Sequence, residues 1–210
     1  MNNNQIQYIN PYDVLNKHHE SIFYKECFLL FTVAVAGKTA SIMADKINSV
    51  VDNIIDNTQP TSLFNIIQKK YYSTNKMHKL EEILKENKTG KYNTILSFIT
   101  DFIKNNIDIE KCSITELEKL KGIGKKSSRF FALYCRKDIS DNIAVLDTHV
   151  LKFLKQHGVK NVPKTTPNNK LYESLEQDYL WLYKHGDFKG SKAQFDFAIW
   201  ENKGQLKINF

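Results

Sequence analysis

At 210 residues the chain is long enough to bury a real core, either as one domain or as two small lobes. Its 30 Lys and Arg against 23 Asp and Glu leave a formal charge of +7, which suits a nucleic acid or another anionic surface as partner. Only three cysteines are present, Cys27, Cys112 and Cys135, odd in number and far apart. That excludes a disulfide framework and a cysteine-ligated zinc or iron–sulfur centre.

The opening Met1-Asn2-Asn3-Asn4-Gln5 has no apolar signal core, and Pro11-Tyr12-Asp13 reads as a turn leading toward a helix. Ser21 to about Ile55 carries a long helical pattern interrupted at Ala36-Gly37-Lys38-Thr39. In its first half Phe28, Leu29, Phe31, Thr32 and Val35 read as a buried central helix. In its second half Ile42, Met43, Ile47, Val50, Val51 and Ile54 recur at helical spacing. The run Phe28 to Ala36 is too short to span a bilayer, so the expectation is a soluble, intracellular protein with no membrane partner. Gln59-Pro60-Thr61-Ser62 forms a turn, with Ser62 capping a helix over Leu63 to Lys70. Leu80 to Glu86 is a further helix, Asn87-Lys88-Thr89-Gly90 a break, and Tyr92 to Asn105 an amphipathic helix with Ile95, Phe98, Ile99, Phe102 and Ile103 on one side. No strand pattern, internal repeat or low-complexity tract appears, so the fold class is all-α.

Ser113 and Glu116 fit a capping box that opens a short helix. Leu117, Leu120 and Ile123 give that helix and the following turn an apolar side, and Phe130, Phe131, Leu133 and Tyr134 do so for a second helix. Between them Lys121-Gly122-Ile123-Gly124 can turn sharply and bring amide N–H groups to an anion without interfering Cβ atoms. Lys125, Lys126, Ser127 and Ser128 then open the second helix, whose N-terminal end favours negative charge. Lys121, Gly122, Gly124, Lys125 and Ser127 are therefore candidate phosphate contacts, with Lys38 in the earlier turn. After Val150 come Lys152 to Gln156, a Pro163–Pro167 connection, a helix from about Leu171 to His185, and a last apolar helix over Ala193 to Trp200 that Lys203-Gly204 ends. Phe195, Phe197 and Trp200 in that helix offer aromatic faces that could stack a planar ring or pack a core.

The stretch Leu120-Lys121-Gly122-Ile123-Gly124-Lys125-Lys126, followed roughly twenty residues on by Leu146-Asp147-Thr148-His149, resembles the helix-hairpin-helix DNA glycosylase superfamily. Its pattern is Leu-Pro-Gly-Val-Gly-x-Lys and then Val-Asp-x-His, with Lys121 here in place of the proline. Asp196-x-x-x-Trp200 before Lys203-Gly204 and a short tail looks like the C-terminus of the small, cluster-free 8-oxoguanine glycosylases of archaeal type. The resemblance implies two helical lobes with the active site in the cleft between them. One lobe would be residues 30–143, including the hairpin 116–134, and the other residues 1–29 plus 144–210.

By the same resemblance Lys126 is the nucleophilic amine and Asp147 the carboxylate beside the sugar. His149 is structural there, and the aromatic faces of Trp200 and Phe197 make them the candidates for the base pocket. The implied partner is double-stranded DNA containing a damaged base, bound by a monomer, in the nucleus if the cell is eukaryotic. No iron–sulfur cluster, redox cofactor or catalytic metal is expected, although the family allows a monovalent cation at the hairpin carbonyls.

The implied activity is removal of 8-oxoguanine with strand nicking through a lysine Schiff base. Extruding the nucleotide is required because its glycosidic bond is out of reach inside a stacked duplex. Two other readings stay open on the residues alone. One is an endonuclease III-like enzyme for oxidised pyrimidines. The other is a non-catalytic hairpin protein in which Lys126 contacts phosphate and Asp147 only caps the helix starting at Thr148.

Overall fold

The computed structural model describes residues 7–15, 21–55, 60–167 and 170–209; Met1 to Gln5, Gln59 and Phe210 lie outside the described residues. Every regular element among these residues is helical, as the periodicity requires. By contacts the chain divides into two units, Met1–Ile123 and Gly124–Phe210.

The first unit is built on α1 (Ile22–Val35), capped by the Ser21 hydroxyl on the Tyr24 amide. Ten of its residues are buried, including Phe28, Leu29, Leu30 and Phe31, so α1 is apolar on nearly every side and must be surrounded. Against it pack α2 (Ala40–Ile54), α3 (Leu63–Ile67) and α5 (Tyr92–Lys104); α4 (Met77–Glu86) packs on α5 and α2, and the short α6 (Ile114–Glu118) comes later in the unit. Each fully buried Phe, Leu or Ile contributes about 1.5–3 kcal/mol relative to leaving it in water. Phe64, Phe98 and Phe102 join α3 to α5 through ring contacts of 4.3–6.1 Å. The segment before α1 is stitched to α2, since Asn48 exchanges two 2.9 Å hydrogen bonds with the Ile9 backbone and the Tyr8 hydroxyl donates to Asp52 at 2.8 Å.

Two details differ from the sequence pattern. Ile42 is 55% exposed, because the buried face of α2 runs through Met43, Ile47, Val50, Val51 and Ile54, and Ile42 falls on the polar side with Lys46, Ser49 and Asn53. The Ser62 cap forms, but its helix does not continue regularly to Lys70; it gives way after Ile67 to a wider π-helical turn over Gln68–Tyr72. Ser62 also donates to the buried carboxylate of Glu26, which accepts the Phe64 amide at 3.1 Å. Burial nevertheless pushes Glu26 up to about 7.

The second unit comprises α7 (Lys125–Cys135), a 3-10 turn (Ser140–Asn142), α8 (Thr148–Gln156), α9 (Lys170–His185) and α10 (Lys192–Glu201). Its core joins Leu146, Val150, Phe153 and Leu154 to Tyr172, Leu175, Tyr179 and Leu182 of α9 and Phe195 and Ile199 of α10. Phe195 lies at the centre with no exposed surface, its ring 5.0–5.5 Å from those of Phe153, Tyr179, Tyr183 and Phe188. The Lys203-Gly204 stop forms as the spacing requires, both residues adopting positive φ, and the tail returns to bury Ile208 beside Gly186.

Candidate active site

The capping box forms as the residues require: Ser113 Oγ accepts the Glu116 amide while Glu116 reaches back to the Ser113 amide. Leu117, Leu120 and Ile123 are buried, and the turn is held by the Lys121 amide donating to Asp101 Oδ2 at 3.3 Å. Gly122 has φ 85°, and a Cβ there would stand 2.7 Å from Thr94 Cγ2 and 3.3 Å from Val33 Cγ1. Its lack of a side chain is demanded by the fold. Gly124 is different: its backbone is extended (φ −108°, ψ −177°), it is exposed, and a Cβ there would meet nothing within 4 Å. The fold places no demand for glycine at that position, which immediately precedes the free amides of the α7 N-terminus.

The two lysines that open α7 have different fates. Lys125 Nζ forms an ion pair with Glu173 of α9. Lys126 is half-buried, and among the described residues its amine has no hydrogen bond or ion pair. Ser127 is buried, with only 8% of its surface exposed. Lys38 and Lys121 belong to the first unit and are exposed. Lys38 Nζ donates to the Thr89 carbonyl at 3.3 Å and Lys91 to the Ala36 carbonyl, so two ammonium groups tie the 36–39 turn to the 87–91 turn, and Lys46 of α2 adds a third bond to the Lys88 carbonyl at 2.8 Å.

Asp147 is the N-cap of α8: its Oδ1 accepts the amides of His149 and Val150, each at 2.8 Å. Among the described residues Oδ2 accepts no hydrogen bond, so one oxygen fixes the carboxylate and the other remains available. The segment delivering Asp147 is clamped from several sides. Glu176 accepts the Ala144 amide at 2.8 Å while paired with Arg129, whose guanidinium also lies 4.8 Å from the centre of the Tyr172 ring. The Tyr172 hydroxyl donates to the Ala144 carbonyl and accepts the Leu146 amide, and Thr166 donates to the Leu146 carbonyl.

Asp196, which enters the C-terminal resemblance only as part of a spacing, has a role that the sequence did not show. This side chain sits in the middle of α10, 6% exposed, and its Oδ2 accepts the Tyr134 hydroxyl at 2.8 Å. Its Oδ1 is buried without a hydrogen-bond partner among the described residues. Burial and the neighbouring Asp147 charge push Asp196 up to about 7, against the hydrogen bond from Tyr134 and the charges of Lys192 and Lys126. Lys126 and Asp147 are thus both near enough to act on one buried carboxyl. Lys192, one turn earlier, is also buried, donates to the Ile143 carbonyl, and is pushed down to about 8 mainly by desolvation. The available sequence signal was an Asp and a Lys one turn apart in an otherwise apolar helix, since such residues are seldom buried without a partner.

Phe197 and Trp200 are half-buried and stack on each other, with ring centroids 5.8 Å apart and planes inclined by 27°. Among the described residues no group of three or more His, Cys, Asp or Glu side chains could hold a metal ion, and no helix is long and apolar enough to cross a membrane. Comparison with curated proteins and with solved structures gives no match in either case. A comparison with family models matches residues 6–184 to the helix-hairpin-helix family described as 8-oxoguanine DNA glycosylase. The glycine turn, the lysine-led helix and the capping aspartate thus stand within a match covering most of the chain, and the protein belongs to the 8-oxoguanine DNA glycosylase family, whose substrate is DNA.

Proposed function

We propose that the protein is a bifunctional enzyme, a DNA glycosylase and AP lyase acting on 8-oxoguanine in double-stranded DNA, with Lys126 as nucleophile and Asp147 as its electrostatic partner. The observation that carries this reading is the contrast between neighbouring lysines: Lys125 is paired with Glu173, whereas Lys126 makes no hydrogen bond or ion pair among the described residues and, like Asp147, acts on the Asp196 carboxyl. A phosphate-contacting pair of lysines would not require that division.

In the reaction, the neutral amine of Lys126 attacks the sugar C1′ of the extruded nucleotide. The C1′–N9 bond breaks and its electron pair leaves with the base. Positive charge develops on the sugar as this happens, and the oriented Asp147 carboxylate stabilises it at little reorganisation cost. Opening of the sugar ring converts the amine adduct to a Schiff base. Loss of a C2′ proton then expels the 3′ phosphate, and hydrolysis of the imine frees Lys126. Gly124 and the first amides of α7 would receive a DNA phosphate, which accounts for a glycine that the fold itself does not need.

Incubation with duplexes carrying 8-oxoguanine or thymine glycol, analysed with and without alkali, tests the proposal. The expected result is base release from the 8-oxoguanine duplex with nicking before alkali is added. Release that nicks only after alkali would remove the lyase step. Preferential release of thymine glycol would favour an endonuclease III-like specificity. Tight binding with no release from either duplex would favour a non-catalytic hairpin protein.

A further inference from the structure

We propose that Asp196 is a positioning residue that accepts the proton Lys126 must lose before it can attack. This inference rests on Lys126 being the nucleophile.

Lys126, Phe130 and Tyr134 follow one another at four-residue spacing, along a single ridge of α7, and side chains on a helix lean toward its N-terminus. At the far end of that ridge the Tyr134 hydroxyl holds Asp196 Oδ2 at 2.8 Å, with the Phe130 and Tyr134 rings in edge contact at 5.5 Å. The other oxygen, Oδ1, is buried and has no hydrogen-bond partner among the described residues. A buried carboxyl oxygen left in that state carries a desolvation cost that a fold has no reason to retain. A proton arriving from the Lys126 ammonium would relieve it by neutralising the charge.

Groups from every neighbouring element bear on this carboxyl. From α7 come Tyr134 and Lys126, from the head of α8 Asp147, from α9 Tyr179, and from α10 itself Lys192. Asp141 of the 3-10 turn and Glu176 of α9 act on Lys192, and Glu176 is also paired with Arg129. Asp147 is less suited to take the proton, because its Oδ1 already accepts two amide donors and its negative charge is needed at the sugar. Tyr179 is itself buried, its hydroxyl without a partner among the described residues, and burial holds it well above the usual tyrosine range, so it is no acceptor at neutral pH.

The step balances within the protein. One N–H bond of the ammonium breaks, its electron pair stays on Nζ, and the proton forms an O–H bond at Asp196. A cation and an anion become two neutral groups. With Asp196 held up at about 7, the acceptor is in its competent ionised form only above roughly neutral pH.

The test is the single-turnover rate of 8-oxoguanine release across pH 5.5 to 9, measured with DNA affinity and borohydride trapping. Wild type should lose about tenfold in rate per pH unit below a break near 7. Asp196→Asn should remove that break and slow release at pH 7 at least tenfold, with DNA affinity unchanged. Tyr134→Phe removes the hydrogen bond favouring the carboxylate, so its break should move to higher pH while the plateau rate is retained. If Asp196→Asn does not fold, that shift alone decides. An unmoved break in Tyr134→Phe, or a wild-type profile in Asp196→Asn, overturns the proposal. Trapping separates the two levels. An adduct lost in Lys126→Gln beside an unchanged Asp196→Asn profile overturns only the role of Asp196, whereas an adduct that persists in Lys126→Gln removes the nucleophile on which this role rests.

Discussion

Gly122 is held at a positive φ of 85° with the Thr94 methyl 2.7 Å from where a Cβ would be, while Gly124 is extended and open to solvent. Alanine should therefore separate two roles that the Gly-x-Gly spelling merges. Gly122→Ala should lower the melting temperature, costing about 1–3 kcal/mol through strain and the methyl contact. Gly124→Ala should fold like wild type but bind duplex DNA several-fold more weakly, as seen by anisotropy titration. Equal affinity for Gly124→Ala and wild type would remove the phosphate role. At Asp147 the capping and electrostatic roles can also be split, because Asn caps a helix about as well as Asp. Asp147→Asn should change stability by less than about 1 kcal/mol and leave DNA affinity nearly intact. It should slow excision by roughly a hundredfold or more, the usual cost of deleting one electrostatic contact to a transition state. Excision at the wild-type rate would take Asp147 out of the mechanism.

The placing of Asp147 depends on how α7, α8, α9 and the 143–147 segment are tied together. Glu176 accepts the Arg129 guanidinium and the Ala144 amide from a position 5% exposed. Glu176→Ala leaves a buried cation and a buried amide without partners, so it should destabilise the protein by about 3–5 kcal/mol in a denaturant titration. A cost below 1 kcal/mol would mean that the clamp is not structural. The helices themselves were legible from residue spacing, since Phe28 to Phe31, the Tyr92 to Asn105 stripe and the Ser113 box each carry a local signal that packing did not override. The π-helical turn at Gln68–Tyr72 and the exposed Ile42 were not legible. Both depend on which neighbours pack against α3 and α2, which a period does not encode. The buried Asp196 was hidden for a related reason, because an acidic residue in an apolar helix acquires significance only when its neighbours are known.

For the molecule as a whole, the buried Glu26, Asp196 and Lys192 are the described groups whose shifts act on stability between about pH 4 and 8. Glu26 and Asp196 are pushed by burial from 4.5 and 3.8 up to about 7. Between about pH 4 and 7 the folded protein therefore holds protons that the unfolded chain has released, so stability falls as pH rises through that window. Each carboxyl contributes on the order of 3–4 kcal/mol to that fall. Lys192 acts in the opposite sense: its folded amine releases its proton at about 8 and an unfolded one at 10.5, so stability recovers as pH rises between those values. Denaturation midpoints should pass through a minimum near pH 7–8, and Asp196→Asn should raise the midpoint at pH 8. A midpoint that climbs steadily from pH 4 to 7 would contradict this balance of buried charges.

Borohydride reduction on an 8-oxoguanine or abasic duplex reads the role of the Lys126 amine most directly. Wild type and Lys125→Gln should each give a covalent protein–DNA adduct, and Lys126→Gln, folded and still binding DNA, should give none. An adduct of undiminished yield from Lys126→Gln, or none from wild type on either duplex, would contradict the account.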